Sequence, residues 1–243
     1  MKGYKVGEIL SNEHVGENVY KMVVKGQFQG KPGQFYMLRN WENDPILSRP
    51  LGLCDLTDDT ITFLYMVFGR GTKHFSELKP GVNIKILGPL GNGFTLVENK
   101  RVAILSGAVG IAPMYYLAKN LNCKIDLYAG FRDFEFFADE FTDLVDNIYI
   151  SSDNGKTGFH GNVLQLFKET NKEYDFIYAC GPNPMLRAIC NELESNKVEV
   201  SLESHMACGF GVCLGCSIET TKGMKKVCHD GPVFNGDEVI FNG

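Results

Sequence analysis

The sequence predicts an antiparallel β-barrel followed by a parallel α/β domain and a small cysteine-rich tail. Short segments rich in β-branched and aromatic residues, broken by turn punctuation, fill positions 1–97. Continuous apolar runs then alternate with helical patterns over 98–200, the signature of βαβ units. Four of the eight cysteines crowd into the stretch from Cys208 to Cys228, within the last segment, 201–243.

In the first segment the strand candidates are Gly3 to Leu10, Val19 to Val24, Phe35 to Arg39, Thr60 to Phe68 and Val82 to Leu87. Gly30-Lys31-Pro32-Gly33, Asp58-Asp59 and Lys79-Pro80-Gly81 punctuate them as turns. In the second segment Arg101 to Leu105 reads as a strand buried on both faces, followed by Gly107 to Pro113 and a helical pattern through Leu121. Lys124 to Ala129, Ile148 to Ile150 and Asp175 to Ala179 are further strands. Phe136 to Val145, Val163 to Glu169 and Pro184 to Leu193 carry helical spacing. From Val200 onward the chain is glycine-rich and cysteine-rich.

Composition narrows the function. Of 243 residues, 44% are hydrophobic and 22% charged, an ordinary globular mixture that excludes disorder and fibrous repeats. Twenty-four Lys and Arg against 29 Asp and Glu give a net charge of -5, so general nucleic-acid or anionic-membrane binding is not expected. The first ten residues lack an apolar signal core, and no apolar run approaches the ~20 residues of a membrane helix. The expectation is a cytoplasmic protein in a reducing compartment, whose cysteines are buried thiols or ligands rather than disulfides.

The tail cysteines decide which. Cys208-x4-Cys213-x2-Cys216 is followed, after eleven residues, by Cys228. That is plant-type [2Fe-2S] spacing. Gly209, Gly211 and Gly215 supply small residues where a loop must wrap a cluster with its N–H groups facing sulfur. Structural zinc is the alternative, although zinc knuckles usually pair two C-x2-C units and only one is present. Cys54, Cys123 and Cys190 read as small buried hydrophobes.

Ser106 to Pro113, with Gly107 and Gly110, follows a buried strand and opens a helix, as a pyrophosphate turn does; a plain tight strand–helix turn explains it equally well. Cys180-Gly181-Pro182 stands at the end of another parallel strand, where a thiol can lie near a nicotinamide or simply fill the core. In the barrel, Arg49-Pro50-Leu51-Gly52 offers a phosphate clamp, Tyr65 a ring on a strand, and Gly69-Arg70-Gly71-Thr72 the donors of an anion site. Each has a bland reading: a surface charge, core packing, a turn.

Taken in order, Arg49-Pro50, Gly69-x-Gly71-Thr72, Gly88-Pro89-Leu90-Gly91, Gly107-x-x-Gly110-Ile111-Ala112-Pro113 and Cys180-Gly181-Pro182 resemble the ferredoxin-reductase superfamily. With Met206-Ala207-Cys208-Gly209-x-Gly211-x-Cys213 and Val227-Cys228-x-Asp230-Gly231-Pro232-Val233-Phe234 added, the whole chain resembles the electron-transfer subunits of class 1B dihydroorotate dehydrogenases.

That resemblance implies an FAD-binding barrel over 1–97, an NAD-binding α/β domain over 98–200 and a [2Fe-2S] domain over 201–243. It places Arg49, Pro50, Leu51, Gly52, Leu64, Tyr65 and Met66 along the flavin, with Gly71 and Thr72 on its phosphate side. NAD falls to Gly107, Gly110, Gly181 and Pro182, with Cys180 as the catalytic thiol, and the cluster to Cys208, Cys213, Cys216 and Cys228. It further implies an FMN-containing dihydroorotate dehydrogenase partner, in a heterotetramer with two of each subunit, serving pyrimidine biosynthesis. A related module of a sulfide dehydrogenase, a ferredoxin:NAD(P) oxidoreductase or a hydrogenase shares these motifs. A zinc-stapled nucleotide-sensing protein is the alternative of another class. Two residues depart from the pattern: Gly52 stands where the family usually has serine, and Met66 where it often has arginine. After the second parallel strand, Asp133 and Glu135 disfavour a 2′-phosphate and Arg132 favours one, which tilts the expectation to NAD.

Overall fold

The structure, a computed structural model, describes residues 3–241. Strands β1 (Lys5–Gly16), β2 (Val19–Lys25), β3 (Phe35–Arg39), β4 (Arg49–Gly52), β5 (Asp55–Leu56), β6 (Thr60–Met66) and β7 (Asn83–Leu90) form a seven-stranded antiparallel sheet in the order β4-β3-β7-β1-β2-β6-β5. The edge strand β4 comes to lie against β6, so the sheet curls into a barrel. Alternation fills it: Met22 and Val24, Tyr36 and Leu38, and Ile61, Phe63 and Tyr65 all enter one core. The opposite face of β6, Leu64 and Met66, packs instead with the following domain.

Helix α1 (Arg70–Glu77) caps the barrel, anchored by Phe75, whose ring stacks on Trp41 at 5.2 Å. It was not legible in Gly69-Arg70-Gly71, because two glycines depress helix propensity and the buried face is a single aromatic. The next domain holds β8 (Glu98–Gly107), α2 (Ile111–Asn120), β9 (Asn122–Phe131), β10 (Asn147–Ser152), β11 (Phe159–His160), α3 (Val163–Glu169), β12 (Phe176–Cys180), α4 (Asn183–Glu192) and β13 (Val198–Ser201). The tail adds a hairpin of β14 (Ser217–Thr220) and β15 (Gly223–Lys226), then β16 (Val233–Asn235). The second sheet runs β11-β10-β9-β8-β12-β13-β16, parallel throughout except for β16 against β13. Strand order reverses at β8, so the carboxyl ends of β8 and β12 flank the crevice where such sheets take ligands.

One predicted helix is absent. Phe136 to Val145 holds only a 3-10 turn, Ala138–Phe141, preceded by Phe137 at φ 66°. The apolar spacing that suggested a helix serves packing: Phe137 and Phe141 meet Tyr115 of α2 edge-on at 5.4 and 5.3 Å. Among the described residues no helix is long and apolar enough to cross a membrane.

The tail is docked rather than appended. Asn92 donates through Nδ2 to the carbonyls of His229 (3.1 Å) and Asp230 (3.0 Å), and its N–H donates to Gly231 O at 2.6 Å. The barrel-to-sheet linker is fixed by Glu199, which accepts from Thr95 N and Oγ1 at 2.9 and 2.6 Å, and by Tyr178, whose hydroxyl donates to Thr95 O at 2.7 Å.

At the amino edge of the second sheet, buried Asp126 collects Arg101 (3.3 Å), Lys172 (3.0 Å), Tyr174 (2.7 Å) and Asn147 (2.6 Å). Burial pushes this carboxyl up, but the four hydrogen bonds outweigh it and hold it below the usual carboxylate range. A depressed folded-state pKa gives stability that is complete above the unfolded value, about 3.9, and lost as pH falls through the folded one. Asp126→Asn is therefore expected to lower stability by about 1–3 kcal/mol near pH 7, with the deficit shrinking below about pH 4. Urea unfolding at the two pH values checks this; an equal deficit at both contradicts it.

Candidate functional site

The four tail thiols lie in two pairs. Cys208 and Cys213 are in contact, Sγ to Sγ 3.4 Å, and Cys216 and Cys228 neighbour one another, with Cys228 N 3.5 Å from Cys216 Sγ. Backbone donors converge on sulfur: Gly211 N to Cys228 Sγ at 3.2 Å and Cys213 N to Cys208 Sγ at 3.4 Å. Gly209 and Gly211 make the wrap possible at φ +78° and +86°. Gly215 lies outside that left-handed region; the space where its Cβ would stand lies 3.7 Å from Cys213 Sγ. Gly209 also sits against the barrel, its missing Cβ only 2.6 Å from Met37 Cγ. Asp230 accepts from Lys226 N at 2.7 Å and Lys226 Nζ donates to Gly211 O at 2.7 Å, which braces the turn carrying Cys228.

Burial raises the Cys208 thiol, but the N–H groups of Cys213, Phe210 and Val212, together with the Cys213 thiol, outweigh it and bring the group down to about 6. Burial and the Cys216 thiol push Cys228 up to about 12. Among the described residues no three His, Cys, Asp or Glu surround one ion position. A single tetrahedral ion needs all four ligands about one centre, whereas two paired sets with N–H groups turned to sulfur fit two bridged irons.

In the barrel, Arg49, Gly71 and Thr72 come together. A Cβ on Gly71 would stand 2.7 Å from the Arg49 Cζ, so the bare glycine lets the guanidinium lie against the start of α1. Arg49 donates to Leu47 O at 2.5 Å and lies 5.5 Å from the ring centroid of Trp41, whose buried Nε1 has no hydrogen-bond partner among the described residues. The Thr72 hydroxyl is consumed locally, accepting from Phe68 N (2.9 Å) and Gly69 N (3.2 Å). What the first turn of α1 can offer an anion is backbone N–H and the helix dipole beside Arg49. That combination fits a diphosphate.

Gly52 faces the next domain: the place a Cβ would take there lies 3.8 Å from Pro113 of α2. Leu64 and Met66 share that side, whereas Leu51 and Tyr65 turn into the barrel, where the Tyr65 hydroxyl donates to Asn12 at 3.0 Å. Strand β6 and the start of α2 meet along this side.

At the crevice of the second sheet the two glycine turns touch. A Cβ on Gly110 would meet Cys180 O, 2.7 Å from Cys180 C and 2.8 Å from Gly181 N. Gly181 adopts φ +157° and the place of its missing Cβ lies 3.0 Å from Gly107 Cα, while that of Gly107 is closed off by Met185 and Pro182. Two backbones thus approach without side chains between them, as pyrophosphate turns require. Cys180 is only 3% exposed, and burial with the nearby Glu203 carboxylate pushes its thiol up, so it is neutral at pH 7. At the end of β9, Asp133 pairs with Lys156 (3.4 Å) and Arg132 (3.7 Å).

Known proteins resemble this chain in sequence and in fold. A family model described as the iron-sulfur cluster binding domain of dihydroorotate dehydrogenase B matches residues 203–240. The dihydroorotate dehydrogenase B (NAD(+)) electron transfer subunit of Clostridium acetobutylicum is 44% identical over 243 residues, covering 98% of each chain. The chain belongs to the family of dihydroorotate dehydrogenase B electron transfer subunits. The member from Clostridium perfringens is 40% identical, again over 98% of each chain. Among solved structures, an NADH-dependent reduced ferredoxin-NADP oxidoreductase superposes with a TM-score of 0.89 at 28% identity, over 99% of this chain and 91% of that one. Phthalate dioxygenase reductase, at 16% identity and a TM-score of 0.66 over 93% of this chain and 78% of that one, shares the fold. In this chain the side chains of Phe210, Val212 and Leu214, interleaved with the tail thiols, are apolar and exposed, a feature the motifs did not single out. Their alternation with ligand-type cysteines and glycines was the available signal.

Proposed function

We propose that this chain is the electron transfer subunit of a dihydroorotate dehydrogenase B, coupling oxidation of dihydroorotate on a partner subunit to NAD+. The observation that carries it is the paired arrangement of Cys208 with Cys213 and Cys216 with Cys228, each pair receiving backbone N–H groups, in a chain that matches such subunits from end to end. When bound, a [2Fe-2S] cluster supplies one-electron transfer and FAD supplies exchange between single electrons and the hydride of NAD.

The chain's own residues do the placing. Cys208, Cys213, Cys216 and Cys228 hold the cluster, with Gly211 and Cys213 donating N–H groups that stabilise negative sulfur. Arg49 and the first turn of α1, opened by Gly71, bind the diphosphate of FAD; Pro50, Gly52, Leu64 and Met66 line its ring, and Leu51, Tyr65 and Thr72 hold the strands and cap in position. Gly107, Gly110, Gly181 and Pro182 bring bare backbone to the dinucleotide at the carboxyl ends of β8 and β12. Neutral, buried Cys180 acts by contact beside the nicotinamide rather than as a thiolate nucleophile. The units 1–97, 98–200 and 201–243 serve FAD, NAD and cluster respectively, in the cytoplasm.

Phe210, Val212 and Leu214 give the partner, an FMN-containing catalytic subunit, an apolar contact beside the cluster loop; two of each subunit form the assembly. Co-expression with such a catalytic subunit is expected to yield a stable complex that reduces NAD+ with dihydroorotate, which neither subunit does alone. A catalytic subunit that reduces NAD+ by itself, or a complex that forms only with a ferredoxin-linked or sulfide-linked partner, contradicts this reading. Identities of 44% to the dihydroorotate dehydrogenase subunit and 28% to the ferredoxin-NADP oxidoreductase favour the first.

A further inference from the structure

We infer that Met37 and Asn92 are positioning residues for electron transfer: from two points on the barrel they grip the cluster loop beside its first and last thiols and so fix the cluster against the flavin. The inference rests on the reading of the tail thiols as [2Fe-2S] ligands and of Pro50 as a flavin-lining residue. It deepens that reading by naming what sets the gap between the two groups.

Met37 is the grip on the Cys208 side. Its side chain is 1% exposed and shares one core with Cys216, Val227 and Cys228. The place a Cβ would take at Gly209 lies 2.6 Å from Met37 Cγ and 2.8 Å from its Sδ, so the backbone next to Cys208 rests directly on the thioether. Within the barrel, Met37 of β3 is paired with Pro50 of β4. Residues opposite one another on neighbouring strands share a face of the sheet, about 4.5–5.5 Å apart. Met37 therefore touches the cluster loop and stands beside a flavin-lining residue. Tyr36 and Leu38, its neighbours along β3, turn the other way into the barrel core.

Asn92 is the grip on the Cys228 side. It follows β7 and donates to three successive carbonyls: Nδ2 to His229 O and Asp230 O, and the backbone N–H to Gly231 O. These carbonyls come immediately after Cys228. Bare Gly91 permits the approach, since a Cβ there would stand 2.6 Å from Pro232 Cδ and 2.7 Å from Gly231 O. The loop is thus held from the barrel at both ends, while Phe210, Val212 and Leu214 between them stay exposed. The placement of cluster against flavin is in this way a property of this chain alone, set before any partner docks. Misplacing reacting groups by about 1 Å costs up to about a hundredfold in rate, so these two grips act on function even when neither cofactor is lost.

The test uses the full-length chain, purified without oxygen with its iron and FAD, and mixed with NADH in a stopped-flow spectrometer. NADH delivers two electrons to FAD as hydride, leaving NAD+, and one of these electrons passes on to the oxidised cluster. Flavin and cluster absorbance read the two steps separately. Met37→Ala is expected to keep iron and FAD, to leave flavin reduction within about twofold of wild type, to slow cluster reduction at least about tenfold and to broaden the EPR signal of the reduced cluster. Met37→Leu, which conserves volume, is expected to bring cluster reduction back to within about threefold of wild type. Asn92→Ala, at an exposed position, is expected to keep its iron and to slow the same step by a smaller factor. Wild-type cluster reduction in both alanine variants overturns the inference. Equal slowing of flavin and cluster reduction also overturns it, since the change then lies in the flavin site. Should Met37→Ala lose its iron, Asn92→Ala decides: slowed cluster reduction at full iron content supports the inference, and wild-type kinetics with a wild-type EPR signal overturn it. A wild-type chain without an iron–sulfur signal overturns the cluster reading itself, and with it this inference.

Discussion

Gly110→Ala is expected to weaken turnover of NADH at least about tenfold while leaving the barrel and its flavin intact. The added Cβ would press on the Cys180 carbonyl and stand 2.7 Å from its carbon and 2.8 Å from Gly181 N. These are backbone atoms at the end of a central strand, so no side chain can rotate away. Overpacking of this kind costs about 1–3 kcal/mol. Relief comes by parting the β8–α2 turn from the β12–α4 turn, the two surfaces assigned to the dinucleotide. The expected result is a loss of at least about tenfold in kcat/KM for NADH in ferricyanide reduction, near 1.4 kcal/mol of transition-state binding, together with a lower melting temperature. The flavin spectrum should not change. Wild-type kinetics in Gly110→Ala would show that the contact between the turns is incidental to the nucleotide. Gly110 sits at φ -60°, so the effect is one of space and not of backbone strain.

Cys213→Ser is expected to remove the cluster and spare the FAD. Cys213 contributes both a thiol, 3.4 Å from that of Cys208, and the N–H aimed at the same Cys208 sulfur. Serine keeps the N–H but replaces a soft thiolate with a hard, weakly acidic hydroxyl, a poor ligand for iron in a sulfur-rich site. Iron content should fall to near zero in protein purified without oxygen, while flavin per chain stays as in wild type. NADH–ferricyanide activity, which needs only the flavin and nucleotide, should persist; dihydroorotate-dependent reduction of NAD+ in the complex should be lost. Loss of the flavin along with the iron would contradict the separation of the two sites.

Much of this was legible in the residues. Val102, Ala103, Ile104 and Leu105 form a continuous apolar run because β8 is covered on both faces, and each is fully buried. Val163–Glu169 is a helix as its spacing predicts, since Asn162 and Gln165 close a capping box at its start. The paired thiols follow directly from the cysteine spacing. What was hidden depends on partners distant in sequence. Strand β16 joins β13 across the whole stretch 202–232 of the tail. The dipeptide strand Asp55–Leu56 has no periodicity of its own and exists through pairing with β6. Phe137 and Phe141 mimic a helix because both reach Tyr115. At the site, Tyr65 shows a limit of a different kind. A motif names a strand, but only the pleat decides that Leu64 and Met66 face the next domain while Tyr65 enters the barrel core.

The central claim is that the tail thiols hold a pair of bridged irons. Anaerobically purified wild-type chain, analysed for metals and examined by EPR before and after dithionite, tests it most directly. The account predicts about two irons and two acid-labile sulfides per chain, an EPR-silent oxidised form, and a signal from one unpaired electron after reduction. One zinc per chain, no labile sulfide and no signal after reduction would contradict it.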